Sequence, residues 1–367
     1  MQLKQVPRDA LLKPLQAVSG IVERRHTLPI LSNVLLEQRG GLLYVTATDL
    51  EMQITAKSEL NVAGEQAITV GARKLQDLLR ALPDESLLHV DPGASRLTLK
   101  SGKSRFNLQT LPAADFPRIA MSAEQKQSIA LAQRDLRRML RLVEFAMAQQ
   151  DIRYYLNGML LVLEGDKLIA VATDGHRLSY ACMVIGGARE RQEVILPRKT
   201  VQELSKLLSD SEEPINIDLL ANQIRFRFGS IELISKVIDG KFPDYNRVIP
   251  TGYTRNCQLA RIDLLQALQR AAILANEKFR GVRLVLADKS LKIVCTNSEQ
   301  EEAEEELETG YSGEPLDIAF NINYVLDVLV NLADSDVTLS FGDGTSSALI
   351  TVPDRDDYKY VVMPMRI

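Results

Sequence analysis

Tryptophan is absent from this 367-residue sequence, and only three histidines and three cysteines occur. Cys182, Cys257 and Cys295 lie far apart and show no CxxC spacing, so neither a disulfide framework nor a zinc site is encoded. No apolar run reaches the ~20 residues that a membrane helix needs. The N-terminus lacks the basic start and apolar core of a signal peptide. These absences predict a cytoplasmic chain without a metal or other cofactor and without a membrane partner.

The composition is that of a globular protein. Apolar residues make up 46 % and charged residues 25 %, ordinary values that exclude the disordered, collagen-like and coiled-coil classes. At roughly 150 residues per domain, the length predicts two or three domains. The net charge of −4 argues weakly against a nucleic-acid partner, although the distribution of charge decides more than its average.

The chain repeats one layout three times, in segments that start at Arg8, Arg134 and Arg261. Each segment opens with apolar residues at steps of four, three and four, as from Leu136 to Met147. Such steps place the side chains on one face of a helix. Internal similarity at a fixed period indicates repeated structural units.

Strands and a second helix follow each of these first helices. A β-branched stretch ends in a turn signal at Asp49, Asp174 and Asn297, which are 125 and 123 residues apart. Each unit therefore reads helix, strands, helix, strands, which predicts an α+β fold with two helices on antiparallel sheets per domain. Ser, Gln, Thr, Gly and charged residues interrupt the pattern near 121–126 and 250–256. We predict domains at 1–121, 127–250 and 256–367.

Positive charge is concentrated in the predicted helices. Residues 8–25, 73–80, 134–144, 198–206 and 261–280 each carry a net charge of +2, whereas residues 321–333 carry −1. The densest acidic run, Glu299–Glu308, contains seven Glu. A single basic helix is usually a solvated face. The same sign on five of six equivalent helices favours a surface that faces a polyanion in a sequence-independent, salt-sensitive way.

Several longer motifs identify the family that this pattern resembles. They are Thr27-Leu28-Pro29-Ile30-Leu31, Gln109-Thr110-Leu111-Pro112-Ala113-Ala114-Asp115-Phe116-Pro117, Arg153-Tyr154-Tyr155-Leu156-Asn157-Gly158, Ala172-Thr173-Asp174-Gly175-His176-Arg177-Leu178, Asn276-Glu277-Lys278-Phe279-Arg280-Gly281 and Tyr360-Val361-Val362-Met363-Pro364-Met365-Arg366-Ile367. Together they closely resemble the bacterial sliding clamp family, the β subunit of DNA polymerase III. The resemblance runs from end to end without a large insertion.

The resemblance implies a head-to-tail homodimer that closes into a ring of six domains and twelve helices. Helices that pack ~10 Å apart would give a perimeter of ~120 Å and an opening of ~28 Å, wide enough for a DNA duplex. The implied function is a non-catalytic clamp that encircles duplex DNA and gives processivity to the replicative polymerase. The implied partners are the polymerase III alpha subunit, the clamp loader and other replication and repair proteins that carry a Gln-Leu-x-Leu-Phe-type motif.

The family takes partner peptides in a hydrophobic cleft between its second and third domains. The resemblance implies that the cleft consists here of Leu156, Thr173, Gly175, His176, Arg177, Leu178, Pro243, Arg247, Val248, Phe279, Asn321, Tyr324, Thr345, Ser347, Val361, Val362, Met363, Pro364, Met365 and Arg366. Two positions depart mildly from the family: Thr345 stands where an aliphatic residue is common, and the chain ends in Ile367 rather than Leu. The residues alone favour an ordinary edge or core strand for Val361–Met363, and the resemblance reverses that interpretation.

The resemblance also implies the DNA contacts Arg25, Gln150, Tyr154 and Tyr155, with Arg73, Lys74, Arg198 and Lys199 on the channel helices. Read without the family, the two tyrosines could be core aromatics. Adjacent residues of a strand point to opposite faces, so at most one of them would be fully buried there.

The ring seal is expected where Phe106 and Leu108 of one chain meet Ile273 and Leu274 of the other. Phe106 and Leu108 alternate and so share one face of a strand, whereas Ile273 departs from the apolar face of its helix. The basic residues Arg96, Lys100, Lys103 and Arg105 and the run Glu299–Glu308 suggest charge complementarity between the two sides. These charges could also be solvated by coincidence.

Two other functions remain open at the level of sequence. An α+β enzyme could hold a phosphorylated substrate with the basic helices, with His176 of Thr173-Asp174-Gly175-His176 as a base. Asp and Gly commonly start turns for backbone reasons, and no P-loop, nucleophile elbow or metal spacing supports catalysis. A purely protein-binding scaffold would keep the cleft and show no retention on DNA.

Overall fold

A computed structural model describes residues 3–23, 28–61, 64–93 and 95–366. The chain forms two compact units. Unit 1 contains residues up to Leu136 together with Gln202–Val237, and unit 2 contains Arg137–Val201 together with the chain from Ile238 onward. None of the helices in the described ranges is long and apolar enough to cross a membrane.

Six α-helices occur in the described residues, at the six places that the sequence predicts. They are α1 (Arg8–Val18), α2 (Ala72–Ala81), α3 (Gln133–Val143), α4 (Arg198–Leu207), α5 (Arg261–Ala271) and α6 (Ile322–Asn331). The first and fifth are shorter than the charge-bearing segments 8–25 and 261–280. Each ends in a 3-10 turn, Ser19–Ile21 after α1 and Ala272–Leu274 after α5. Apolar residues continue through both turns, so hydrophobic spacing alone overestimates the helix length.

Unit 1 is built on one antiparallel sheet of twelve strands. Their bounds are β1 (Leu3–Pro7), β2 (Asn33–Arg39), β3 (Leu42–Thr48), β4 (Met52–Asn61), β5 (Gln66–Gly71), β6 (Leu87–Pro92), β7 (Arg96–Ser101), β8 (Ser104–Leu111), β9 (Gln125–Ala132), β14 (Pro214–Leu220), β15 (Gln223–Phe228) and β16 (Ile231–Lys236). The order is β1-β6-β7-β8-β5-β2-β3-β4-β16-β15-β14-β9. The helices α1 and α2 pack on this unit through buried residues such as Leu15 and Leu79.

Unit 2 contains two antiparallel sheets. Their strands are β10 (Gly158–Glu164), β11 (Lys167–Thr173), β12 (Arg177–Val184), β13 (Gln192–Pro197), β17 (Arg255–Ala260), β18 (Gly281–Ala287), β19 (Ser290–Thr296), β20 (Glu302–Glu308), β21 (Leu316–Asn321), β22 (Asp336–Phe341), β23 (Ala348–Thr351) and β24 (Tyr358–Val362). The eight-stranded sheet has the order β13-β10-β11-β12-β24-β23-β22-β17, and the four-stranded sheet the order β20-β19-β18-β21. The last strand of the chain is therefore an inner strand, paired on both sides.

The threefold repeat is visible in local hydrogen bonds. The backbone N–H groups of Arg8, Arg134 and Arg261 donate to the carbonyls of Ser86, Ser211 and Ser335, respectively. In each repeat the turn residue caps its own turn: the side-chain oxygens of Asp49, Asp174 and Asn297 accept from the N–H two residues later. These Asx turns explain why Asp or Asn recurs at this position, because a short side-chain oxygen can satisfy the backbone there.

Candidate functional site

The floor of the predicted cleft is a continuous part of the hydrophobic core of unit 2. Strand β12 pairs with β24, with Leu178 opposite Val361. Both residues belong to one buried cluster with Leu156, Phe242 and Tyr245. The core-strand interpretation of the C-terminal residues is therefore correct for Val361, whereas Met363 beyond the strand is 48 % exposed.

The predicted cleft residues differ in how far their side chains are exposed to solvent. Buried are Leu156, Thr173, Leu178, Val361 and Val362; half-buried are Arg177, Asn321, Tyr324, Ser347, Pro364 and Met365; exposed are Gly175, His176, Pro243, Arg247, Val248, Phe279, Thr345, Met363 and Arg366. The tail is attached at two points, because the N–H of Met363 donates to the carbonyl of His176 at 2.9 Å and the N–H of Met365 to the carbonyl of Ala319 at 2.8 Å. The His176 ring stacks on Tyr324 at 6.5 Å between centroids. The surface thus joins parts of both sheets of unit 2.

Arg177 supports this surface through contacts within the chain, and its guanidinium is therefore not available to bind a ligand. Its Nε donates to Asp174 at 3.1 Å, its Nη1 pairs with Asp327 on α6, and its Nη2 donates to the carbonyl of Phe145 at 2.7 Å. The guanidinium also lies 4.5 Å from the centroid of the Tyr324 ring. Burial alone would lower the pKa of Arg177, but the phenol of Tyr360 and the carboxylates of Asp327 and Asp174 raise it above its ordinary value. The charge is therefore permanent and ties the turn at 174–177 to α6.

Two turns present exposed groups at the rim. The Asn276 side chain accepts from the N–H groups of Lys278 and Phe279, each at 3.0 Å, and the Phe279 ring remains 59 % exposed with the Lys278 ammonium 5.4 Å from its centroid. At the position that departs from the family, the Thr345 hydroxyl donates to Asp343 at 2.8 Å. The backbone N–H of Thr345 leads the donors that lower the pKa of Asp343 to about 2. The hydroxyl is thus used inside its own loop.

The loop from Gln149 to Asn157 carries three of the predicted DNA contacts. The Asn157 side chain braces it in both directions: Oδ1 accepts from the N–H of Asp151 at 2.9 Å, and Nδ2 donates to the Asp151 carbonyl at 2.8 Å. The Asp151 carboxylate in turn accepts from the backbone and guanidinium of Arg153, which lowers the pKa of Asp151 to about 2. Gln150 and Tyr154 are exposed, while Tyr155 is half-buried against the core cluster. The core-aromatic interpretation therefore applies to part of Tyr155 only.

The loop from Gln149 to Asn157 is also linked to the turn at 174–177. The Arg153 Nη2 also donates to the carbonyl of Asp174 at 3.2 Å. Gly175 has a φ of +88°, a conformation that favours glycine. A Cβ at this position would lie 2.9 Å from the same nitrogen, so the Arg153 guanidinium packs directly against Gly175. Sequence reasoning missed Arg153, Asp151, Asn157 and Asp327 as supporting residues. The Asp-x-Arg spacing next to the Tyr-Tyr pair was the available signal for the first two.

The predicted basic helix residues differ in availability. Arg73 and Lys74 are exposed on α2 in unit 1, with Arg73 3.8 Å from Asp77. Arg198 and Lys199 open α4 and are half-buried, and Arg198 donates to the carbonyl of Met147 at 2.8 Å. Arg25 lies outside the described residues. Within the described ranges, no group of three or more His, Cys, Asp or Glu could hold a metal ion.

The predicted ring-seal residues lie on a strand in unit 1 and in a 3-10 turn in unit 2. In unit 1, β8 pairs with β7 along Ser104–Gln109 but with β5 only at Thr110 and Leu111, which leaves one edge of 104–109 open among the described residues. Phe106 on this strand is half-buried, whereas Leu108 is only 8 % exposed. In unit 2, Ile273 is 79 % exposed and Leu274 half-buried.

Residues Glu302–Glu308 of the acidic run form the edge strand β20 of the four-stranded sheet. Part of its charge is used inside the chain: Glu305 pairs with Arg270 of α5 at 2.6 Å, and Glu304 pairs with Lys292 at 2.8 Å. Glu302 and Glu308 are exposed. The four basic residues of β7 and β8 and their hairpin, Arg96, Lys100, Lys103 and Arg105, are all exposed.

Comparison with known proteins identifies the family. Models of the N-terminal, central and C-terminal domains of the DNA polymerase III beta subunit match residues 1–120, 130–244 and 246–366. The chain belongs to the DNA polymerase III beta subunit family, the bacterial sliding clamps. This confirms the predicted α+β fold of three clamp domains and favours the sliding-clamp function over an enzyme acting on a phosphorylated substrate.

The similarity to individual beta subunits covers the full chain. The chain is 48 % identical to the beta sliding clamp of Pseudomonas putida and 46 % identical to that of Escherichia coli K12, each over 364 residues and 99 % of both chains. It superimposes on the crystal structure of the DNA polymerase III subunit beta from Pseudomonas aeruginosa with a TM-score of 0.96 at 46 % identity, covering 100 % of both chains. A sliding clamp from the same organism bound to griselimycin gives a TM-score of 0.95.

Proposed function

We propose that two copies of this chain pair head to tail into a closed ring around duplex DNA and hold replication and repair proteins at the cleft, without catalysis. The three domains would span 1–121, 127–250 and 256–367, and the ring would work in the cytoplasm. The single observation that carries the proposal is the full-length match to beta sliding clamps. The arrangement of edges, charges and apolar rim residues supports each part of it.

Ring closure is supported by one open, basic strand edge and one acidic strand edge. The edge of β8 at 104–109 offers unpaired backbone groups beside exposed Arg and Lys. The edge of β20 offers the same beside Glu302 and Glu308. A strand from each copy could therefore extend the sheet of the other, with Ile273 supplying the apolar contact. Because the two surfaces differ, the pairing is heterologous, and a ring of two copies would close after two joins.

Tethering is supported by the apolar rim above a preformed floor. Phe279, Val248 and Met363 remain exposed although each is apolar, and exposed apolar residues of this kind are expected at a binding surface. A Gln-Leu-x-Leu-Phe-type segment of the polymerase III alpha subunit, the clamp loader or another partner would place its Leu and Phe anchors there. Methionine side chains adapt to several partners, which suits a shared docking site.

The Thr173–His176 segment supports a turn and not an active site. The Thr173 hydroxyl donates to the carbonyl of Arg177 at 2.6 Å, and Asp174 Oδ1 accepts from the N–H groups of His176 and Arg177. The His176 ring stacks on Tyr324. Each group is thus engaged in holding the cleft surface.

The test is retention on closed DNA. The clamp would be loaded onto nicked circular DNA with a clamp loader, the salt concentration raised, and the DNA then cut once. Phosphate contacts weaken steeply with salt, so a ring stays on circles at high salt and leaves only after linearisation. Loss from intact circles as fast as from linear DNA would leave a simple electrostatic binder, and no DNA retention at all would leave a protein-binding scaffold.

A further inference from the structure

Ile152 is the most exposed large apolar side chain in the described part of the chain. It stands at the tip of the loop between Gln149 and Asn157 and is 96 % exposed. Isolated exposed apolar residues are common on protein surfaces, but few are this fully removed from their own fold. None of the contacts proposed above uses Ile152.

The loop holds Ile152 outward. Both of its chain neighbours are fixed: the backbone of Asp151 is tied in both directions to the Asn157 side chain, and Arg153 is tied to Asp151 and to the carbonyl of Asp174. On the other flank, a Cβ at Gly240 would lie 3.4 Å from both Tyr154 and Tyr155, so the tyrosines also pack closely. The side chain between these anchors cannot fold back onto the core without breaking them.

Most of the exposed groups of the loop are not phosphate ligands. Arg153 is the only basic residue between Gln149 and Asn157, and its guanidinium is engaged by Asp151 and the Asp174 carbonyl. The Arg153 side chain is itself 46 % exposed, but its guanidinium is already paired. The other exposed groups are the amides of Gln149 and Gln150, the aliphatic Ile152 and the phenol ring of Tyr154. Phosphates are bound by Arg, Lys and backbone N–H groups, whereas amides, aromatic rings and apolar wedges contact bases and sugars.

We propose that Ile152 contacts the apolar sugar and base surface of DNA and supplies a salt-independent part of DNA binding. Gln150 and Tyr154 on either side would meet the same nucleotides, while phosphate contacts come from residues such as Lys74. The inference rests on the proposed function as a DNA-encircling clamp. The part of DNA that Ile152 contacts is either the deoxyribose surface that lines a duplex groove (the sugar wall) or a base exposed at a single-strand junction.

The experiment compares how affinity depends on salt in matched variants of the full chain. Fluorescein-labelled blunt duplex, primer–template junction and single strand would be titrated by anisotropy between about 50 and 200 mM KCl. The variants are Ile152→Ala, the conservative Ile152→Leu, and the control Val184→Ala, whose side chain is 68 % exposed at the end of β12. Lys74→Ala serves as the phosphate-contact reference.

We expect Ile152→Ala to weaken binding about three- to tenfold at every salt concentration, in line with loss of partial apolar burial. The slope of log K against log salt should stay that of wild type, Ile152→Leu should retain affinity, and Val184→Ala should change nothing. Lys74→Ala should instead reduce the slope by about one unit. A loss on blunt duplex identifies the sugar wall, and a loss confined to the junction and the single strand identifies an exposed base.

Three results would overturn the proposal: an unchanged affinity of Ile152→Ala, a slope reduced as in Lys74→Ala, or an equal loss in Val184→Ala. Failure of the proposed function looks different. In that case wild-type protein shows no salt-dependent DNA binding, whereas failure of the Ile152 inference alone leaves wild-type binding intact and insensitive to this side chain.

Discussion

The contacts of Arg177 lead to a specific prediction about the stability of unit 2 and about peptide binding at the predicted cleft. Arg177→Leu keeps an apolar stem beside Tyr324 but removes the guanidinium that joins Asp174, Asp327 and the Phe145 carbonyl. We expect a lower free energy of unfolding of unit 2 and weaker binding of a cleft peptide. The reason is that both the turn at 174–177 and α6 lose the group that fixes their positions.

The structure sets the magnitude. The Arg177 side chain is 10 % exposed and that of Asp174 18 %, so this half of the network is buried. Breaking a buried pair by removing one partner costs ~3–5 kcal/mol. The Asp327 side chain is 44 % exposed, so water replaces part of its lost contact. We therefore expect a loss of about 3 kcal/mol, equivalent to a factor of roughly 100 in the unfolding equilibrium.

Urea unfolding followed by circular dichroism measures the stability, since the chain has no tryptophan to report by fluorescence. Anisotropy of a labelled Gln-Leu-x-Leu-Phe-type peptide measures the cleft. Arg355→Leu is the matched control: Arg355 bridges Asp334 and Asp357 in the same unit with similar exposure but lies outside the cleft residues. It should lower stability and leave peptide affinity unchanged.

A double-mutant cycle isolates the bridge. If Arg177 acts through Asp327, then Asp327→Asn should cost little once Arg177 is already Leu. Fully additive effects of the two substitutions would refute the stabilising role of Arg177. So would an Arg177→Leu protein whose free energy of unfolding lies within about 0.5 kcal/mol of wild type.

Three further predictions follow from the interface, the tail and the loop. Ile273→Ala combined with Leu274→Ala should give monomers in sedimentation, because each apolar side chain lost from a buried contact costs ~2–5 kcal/mol; Val330→Ala, also exposed, should leave the dimer, and an unchanged mass of the double variant at low concentration would exclude the interface. Removal of residues 363–367 should abolish peptide binding but not dimerisation, because the anchors lose their preformed pocket; affinity within twofold of wild type would contradict the cleft. The pKa of Asp151 falls from 3.8 to about 2 in the folded chain. The contribution of Asp151 to stability is therefore present above about pH 4 and is lost as the pH falls through about 2. The difference in free energy of unfolding between wild type and Asp151→Asn, measured with urea at stepped pH, should shrink between these two pH values and not at higher pH.

Local order in the fold was predictable from the sequence because it depends on short spacings. The starts of the helices at Arg8, Arg134 and Arg261 follow from apolar steps of three and four. The structure confirms the first and the third, and it starts the second helix one residue earlier, at Gln133. The turn interpretation of Asp174 follows from the hydrogen-bonding reach of Asp, and its capping bonds agree. The end of α1 at Val18 was not predictable, because Ile21 continues the apolar pattern through a 3-10 turn.

Contacts between distant residues were not predictable. Arg177 was expected to line the cleft, but its partner Asp327 is 150 residues away in the sequence, and no local pattern marks the pair. Leu108 shares a strand face with Phe106 as the alternation predicts, yet it is already buried within its own chain. Alternation shows that two side chains face the same way, but it does not show whether that face packs on its own core or on a partner.

The two open strand edges described for β8 and β20 have a consequence for the separate chain. A chain with two unlike, complementary edges can join end to end without limit, as a filament, unless the angle between successive copies brings the free ends together. The opposite charges of these edges oppose pairing of identical edges, which is the usual route from exposed strands to aggregation. In the proposed ring, closure after the second join would leave no edge to recruit a third copy, so ring formation would also keep the assembly finite.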